Sequence, residues 1–349
     1  MANLNSHDLL FLDSPEFKGF RGRIEREYNL NIINTSLPEI ISFTSKKLIL
    51  HTSKGEFFLK EKPQYCSNEL ALKRSANFQD YVSSRMEIVP KMLSTREKDY
   101  YIHWSGRYYF LADYKNGRHY NGASKDINAM INALNVFQKI GTDYLDTYKD
   151  SKQEELVRHE SPDVASSIID VKKKVKTDND DLIFQEIIVL YENLCSEYAT
   201  FTKEKYTMAH SDFILFNLVL DESGVVAIND FDNVKVLPRI HDMAEFLVSA
   251  TLLNYIAPIT NLKLPIQINP EVVLFKSIIE RYISDFKLSD TEKKLLGTVT
   301  EIIWLWSIVL AVFKDDYALS DLKPAIEALR QRKVKTKINH FCDNYHHDK

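Results

Sequence analysis

The sequence predicts an α+β fold of two lobes, a small antiparallel-sheet N-lobe followed by a mostly helical C-lobe. Three observations carry that expectation. Up to about residue 113, short apolar runs alternate with turn residues, the pattern of paired strands. After Gly117 and Gly122 the apolar period lengthens to that of helices. Between residues 210 and 232, carboxylates and amides flank two apolar runs, and burying such charge without a partner or a metal is expensive. The expected division is 1–113 for the N-lobe and 114–349 for the helical C-lobe.

The elements follow in order. Pro15 to Tyr28 interleaves Lys18, Arg21, Arg23 and Arg26 with Glu16, Glu25 and Glu27, which reads as a solvated face or as a helix packed on the N-lobe, with Gly19 and Gly22 against the helix. Strands are expected at Ile40-Ile41-Ser42-Phe43, at Leu48-Ile49-Leu50 and at Phe57-Phe58-Leu59, the last two joined by Ser53-Lys54-Gly55. Pro63 ends this run, and Ser67 is placed to cap a helix carrying Leu70, Ala71, Phe78 and Val82. Tyr100 to Trp104 and Arg107 to Asp113 form a further strand pair across Ser105-Gly106.

In the C-lobe, a helix begins at Ser124 with Ile127, Met130, Ile131, Leu134 and Phe137 on one face. The polar stretch from about 149 to 181 reads either as an insertion near a cleft or as a surface excursion. An amphipathic helix from Leu182 to about Thr202 leads into the 210–232 segment. Beyond Asp242 the chain is largely helical, with Pro258, Pro265 and Pro270 marking a loop.

Composition narrows the function. The 349 residues are 44% hydrophobic and 11% aromatic, an ordinary globular balance. A net charge of -4 argues against nucleic acid as a partner, and Lys172-Lys173-Lys174 reads as a solvated helix face. Cys66, Cys195 and Cys342 have neither metal-ligand spacing nor a disulfide framework, which fits a cytoplasmic protein. The longest apolar run, Ile302 to Phe313, reaches about 18 Å as a helix, short of the roughly 30 Å hydrocarbon core of a bilayer. It reads as a buried helix, and no membrane association is expected. His340, His346 and His347 read as a polar terminus rather than a metal tract.

The chemistry lies in His210-Ser211-Asp212-Phe213-Ile214-Leu215-Phe216-Asn217 and in Asn229-Asp230-Phe231-Asp232. Phosphoryl transfer needs a group that orients the attacking hydroxyl and oxygen ligands for magnesium. Asp212 suits the first task, Asn217 and Asp230 the second. Leu218 to Leu220, the turn Asp221-Glu222-Ser223-Gly224 and Val225 to Ile228 read as a β-hairpin, whose geometry brings its two outer ends together.

The order His-x-Asp-x4-Asn, hairpin, Asp-Phe-Asp, then Asp242-Met243-Ala244 resembles the catalytic core of the aminoglycoside phosphotransferase and choline kinase-like superfamily, which has a protein-kinase-like fold. That pattern usually reads His-Gly-Asp, then Ile-Asp-Phe or Ile-Asp-Trp, then Asp-Leu-Ala. Here Ser211 stands for glycine, Asn229 precedes the aspartate, and Met243 replaces leucine. If residue 211 must adopt positive φ, serine costs something that glycine would not.

The resemblance implies roles for further residues. Lys60, closing the strand Phe57-Phe58-Leu59-Lys60, would align the nucleotide phosphates, and Glu69 of the following helix would hold it, although Glu69 can instead pair with Lys73. Phe110 to Tyr114 would form the hinge, with backbone groups of Ala112 and Tyr114 toward the adenine edge. His210 would orient the catalytic loop, and Asp242 would anchor that loop through its backbone or through His210. Asp232 is open between a site role and a surface position. The phosphate-covering loop around Ser42 to Lys47 has no glycine, and no Walker-type loop is present.

The implied activity is transfer of the γ-phosphoryl group of ATP (or GTP), with Mg2+, to a hydroxyl of an aminoglycoside, sugar, amino alcohol or similar metabolite. The alternatives are a nucleotide-binding pseudokinase or scaffold and a protein kinase. The run Gly55-Glu56-Phe57-Phe58-Leu59-Lys60 also resembles spore-coat-associated members of the superfamily. The short stretch between Asp230 and Asp242 leaves no room for a long activation segment and favours small molecules.

Overall fold

A two-residue turn at Ser53-Lys54 folds the chain back on itself and sets the register of the sheet that organises the first half of the protein. The structure is a computed structural model, and it describes residues 15–38, 46–63, 68–120, 123–148, 172, 175, 177–200, 205–256, 273–313, 323–331 and 333–343. The chain divides into two compact units. The first comprises Met1–Gly117 and Val226–Asn233, the second Arg118–Val225 and Val234–Lys349.

The first unit is built on five strands: β1 (Ile32–Ser36), β2 (Lys47–Thr52), β3 (Gly55–Glu61), β4 (Tyr101–Trp104) and β5 (Arg107–Asp113). They lie in the order β1-β2-β3-β5-β4, with every neighbouring pair antiparallel. The first strand is thus earlier than the expected Ile40–Phe43, which lies outside the described residues. At the β4–β5 turn, Ser105 and Gly106 both have positive φ (47° and 75°), the twist that a tight two-residue hairpin needs.

Alternation along the strands separates two faces. Leu48, Leu50, Phe57, Leu59, Tyr109 and Leu111 share one core cluster with Phe17, Phe20, Ile24 and Tyr28 of helix α1 (Pro15–Tyr28). Of the two readings of that charged stretch, the packed helix is therefore the one observed. Its apolar residues recur at helical spacing, while the pairs Arg21–Glu25 and Arg23–Glu27 occupy the remaining surface. Phe110 and Ala112 face the other way, packed with Ala76 and Met92. Ala76 belongs to α2 (Glu69–Ser83), capped by the Asn68 side chain, which accepts the Ala71 N–H. Ser67, the expected cap, lies outside the described residues. Phe231 packs on Phe78 of α2, and Ile228 donates its N–H to Ile88, so residues 226–233 are part of this unit's fold.

The second unit is mainly helical: α3 (Ser124–Tyr148), α4 (Asp178–Tyr198), α5 (His241–Ile256), α6 (Val273–Phe286), α7 (Asp290–Phe313), α8 (Lys323–Arg330) and α9 (Lys333–Asp343). Ile127, Met130, Ile131, Leu134 and Phe137 of α3 are all buried, as their spacing implied. Strand β6 (Tyr206–Ala209) pairs antiparallel with β9 (Lys235–Pro238) and runs into His210. It lies so close to α3 that a Cβ on Gly141 would come within 2.4 Å of the Met208 carbonyl oxygen; only glycine fits there. β7 (Leu218–Asp221) and β8 (Gly224–Ile228) pair as the expected hairpin. Ile302 to Val309 lie in α7 with most side chains buried. Among the described residues, no helix is long and apolar enough to cross a membrane. The polar stretch around 149–181 is described only in part, and the proline loop after α5 not at all.

Candidate active site

Each unit, taken by itself, holds one polar cluster. In the first unit, strand alternation puts Lys60 and Lys62 on the face opposite α1, and both side chains are 2% exposed. Two free ammonium groups there would be prohibitive, and two aspartates compensate them. The Lys60 ammonium donates to Asp230 Oδ1 and, at 2.6 Å, to Asp232 Oδ2. Lys62 donates to Asp232 Oδ1 and to Ser75 Oγ (2.9 Å), and lies over the rings of Tyr101 and Phe110, 5.5 and 5.1 Å from their centroids. The Ser75 hydroxyl donates in turn to the Phe231 carbonyl (2.7 Å). Lys47, opposite Lys60 in the β2–β3 register, reaches Asp230 Oδ2 at 3.3 Å. The result is a line of alternating charge: Lys47, Asp230, Lys60, Asp232, Lys62.

Burial works against the charge on each group, and the neighbours decide the outcome. For Asp230 burial is overcome by Lys60 and Lys47, which leave its carboxyl well below the usual carboxylate range. For Lys60 burial is overcome by Asp230 and Asp232, so its ammonium is held above the ordinary lysine value. Lys47 moves the other way, lowered by burial and then by the charge of Lys60. Asp230 itself has positive φ (73°), a conformation that aspartate tolerates better than most residues.

This arrangement corrects one expectation. Glu69, expected to hold Lys60, has an 81% exposed side chain and pairs with Lys73 at 2.7 Å, one turn along α2. It starts the helix on the solvent side, and Asp230 and Asp232 take its expected place on Lys60. The hinge residues also differ from expectation. Ala112 is buried inside the sheet, opposite Phe58 on one side and bridged to Met92 on the other. The Tyr114 N–H is donated to the Glu56 carbonyl (3.1 Å), because the β3–β5 ladder continues past Asp113, so that donor is spent within the sheet.

In the second unit, the loop after β6 is held from beneath by one face of α5. Asp242 accepts the backbone N–H groups of His210 (3.0 Å) and Ser211 (2.9 Å). Glu245 accepts that of Phe213 (2.8 Å), and Ser249 that of Leu215 (3.3 Å). These three residues lie at positions i, i+3 and i+7, a single helical stripe. The clamp holds Ser211 at φ 58°, so the position where serine stands for glycine does adopt the left-handed conformation. His210 is fully buried, its ring edge-on to Phe137 and Phe213. It fixes the loop through its backbone N–H and its packing.

Asp212 projects from this loop. The Asn217 side-chain amide donates to both the backbone carbonyl and the Oδ2 of Asp212, each at 2.9 Å. With its nitrogen so committed, the Asn217 carbonyl oxygen is left as a ligand atom. Carboxylate and amide oxygens are the donors that magnesium or calcium prefers, so Asn217 and Asp230 each fit that role. His241, Asp242 and Glu245 also bring ligand-type atoms within 4.8 Å of one another. Both Asp242 oxygens and one Glu245 oxygen are already taken by backbone N–H groups, which makes this cluster a clamp. Burial raises Asp242 to about 6 against the pull of the two N–H groups. Glu245 is pushed well above the usual range by burial, then by Asp242 and Asp212, and burial together with Lys235 lowers His241 to about 3.

Sequence reasoning missed Lys47, Lys62, Ser75, Glu245 and Ser249 and left Asp232 undecided. A readable signal existed for several. Lys62 shares the strand face of Lys60, and the polar residues at 242, 245 and 249 fall at one-face spacing in a mostly apolar helix.

No family model matches the chain, and no curated protein matches it. Solved structures do. The amicoumacin kinase hAmiN, in complex with AMP-PNP, Ca2+ and Ami, superposes with a TM-score of 0.66 over 96% of this chain and 97% of its own, at 11% identity. The fold is that of the aminoglycoside phosphotransferases and choline kinases. Spectinomycin phosphotransferase APH(9)-Ia, bound to ADP and spectinomycin, has a TM-score of 0.58 over 93% of this chain and 98% of its own, at 11% identity. Choline kinase from Cryptosporidium parvum has a TM-score of 0.56 over 97% of each chain, again at 11% identity. The expected two-lobed, kinase-like α+β class is borne out; at such identities these likenesses concern the fold.

Proposed function

We propose that the protein is a small-molecule O-phosphotransferase that uses ATP or GTP with magnesium. The observation that carries this reading is the clamped, left-handed Ser211 beside Asp212. Holding a non-glycine residue there costs roughly 1–2 kcal/mol, and strain of this kind persists where it serves presentation of a side chain. Asp212 orients the acceptor hydroxyl and takes up its proton as the oxygen attacks the γ-phosphorus. The bond from that phosphorus to the β–γ bridging oxygen breaks, and the nucleoside diphosphate leaves. Asn217 steadies the Asp212 carboxylate; Asn217 and Asp230 are each suited to offer an oxygen ligand to magnesium, which would neutralise charge on the phosphates. Lys60 aligns the phosphates as a cation. The acceptor class follows that of the kinases sharing the fold, which act on hydroxylated amines and antibiotics.

The test is a nucleotide-consumption screen with magnesium across amino alcohols, sugars and aminoglycosides. Turnover on one acceptor class with phosphate appearing on its hydroxyl supports the reading. Measurable ATP affinity with no turnover on any acceptor would replace it with a nucleotide-binding pseudokinase.

A further inference from the structure

The charged line in the first unit has one closed end and one open end. Lys62 is closed in by Asp232, Ser75 and two aromatic rings. At the other end, the Lys47 side chain is 14% exposed, and among the described residues its ammonium has one acceptor, Asp230 Oδ2, at a long 3.3 Å. An ammonium carries three donors. Lys47 also stands directly opposite Lys60 on the neighbouring strand, where two like charges destabilise a sheet unless an anion lies between them. Asp230 is that anion, with one oxygen for each lysine. In the line as a whole, three lysines face two aspartates, so its open end favours a further anion.

We propose that Lys47 is a second phosphate-binding cation, held on Asp230 in the free protein and available to the phosphate chain of a nucleotide when one binds. The proposal rests on the nucleotide reading given above. Its physical basis is competition for Asp230. Asp230 would offer a carboxylate oxygen to a metal ion bound with the nucleotide, and Lys47 would then give up that oxygen for a phosphate oxygen. Phosphate contacts in this fold region would thus come from a strand lysine in a chain whose preceding segment, Ser42 to Lys46, has no glycine.

The experiment compares the affinities of the parent, Lys47→Met and Lys47→Arg for Mg-ATP, Mg-ADP and adenosine, measured by calorimetry on the full chain. The expected result is at least tenfold weaker Mg-ATP binding in Lys47→Met, with adenosine affinity unchanged and Lys47→Arg within about threefold of the parent, since a charge-assisted contact is lost in one and kept in the other. Unchanged adenosine binding also reports that the variant is folded; if Lys47→Met fails that check, Lys47→Gln takes its place. Equal Mg-ATP affinity in variant and parent, or equal loss for adenosine in both Lys47→Met and Lys47→Gln, overturns the role of Lys47. A parent that binds adenosine but gains nothing from the phosphates overturns it too, and a parent that binds no nucleotide at all overturns the nucleotide reading itself.

Discussion

Asn217 grips Asp212 twice, at its backbone carbonyl and at its carboxylate. One side chain therefore fixes both the backbone and the reactive group of the residue proposed to meet the acceptor. Removing the carboxylate charge in Asp212→Asn is expected to lower kcat by a factor on the order of 10² to 10⁴, the range for a positioned proton acceptor. Nucleotide affinity should stay within about twofold. Single-turnover kinetics alongside nucleotide titration checks both, and a kcat near the parent's would remove Asp212 from the mechanism.

Ser211 at φ 58° gives a second, opposite kind of prediction. Ser211→Gly relieves left-handed strain of roughly 1 kcal/mol and loses part of it to the greater freedom of an unfolded glycine. The expected net effect is a small rise in Tm with activity retained. Ser211→Val, a β-branched residue in a region that excludes it, should lower Tm by several degrees and reduce kcat. Thermal melts of the two variants side by side decide this, and a Gly variant less stable than the Val variant would contradict it.

Asp232 neutralises two lysines that are each 2% exposed. Asp232→Ala leaves both ammonium groups with one compensating carboxylate fewer and should cost about 3–5 kcal/mol, the penalty for breaking a buried ion pair. Lys62→Met removes one of the stranded charges and keeps an apolar side chain over Tyr101 and Phe110. It should be the milder change, and the double variant should recover part of the loss. Denaturant unfolding of the three proteins measures this coupling.

Glu245 yields a pH prediction. Its folded-state pKa lies well above its ordinary value because of burial, Asp242 and Asp212. A group raised in this way binds its proton more tightly when folded, so its contribution to stability is present at acid pH and is lost as pH rises. Glu245→Gln keeps an oxygen for the Phe213 N–H and has no such loss. The Tm of the variant relative to the parent should therefore climb from pH 5 to pH 8. A difference that stays flat, or falls, over that interval would rule out the raised value.

Much of this was legible in the residues. The strands flanking Ser53-Lys54 and Ser105-Gly106, the α3 apolar face and the hairpin after Asn217 all follow from period and turn chemistry. Lys60 and Asp230, each singled out from the sequence, lie in one buried cluster, a contact that the sequence reading did not assign. Glu69 did not, because a helix drawn from the sequence has no rotational setting until its core contacts are known, and Leu72, Ala76 and Phe78 turn Glu69 to solvent. The Lys47–Lys60 pair was within reach: counting outward from the two-residue turn places one opposite the other. What could not be read was that a carboxylate distant in the chain would settle between them.

That distance bears on how the protein is made. Lys60 finds Asp230 and Lys62 finds Asp232, each across 170 residues. A ribosome that has released the first sheet has released its lysines without their counterions, which emerge only after most of the intervening helical segments. The sheet-forming segment, although synthesised first, is thus expected to complete only after Asp230 and Asp232 have emerged, since contacts of such separation close late. A nascent chain halted near residue 120 should remain open to proteolysis, and one extended past residue 240 should become resistant.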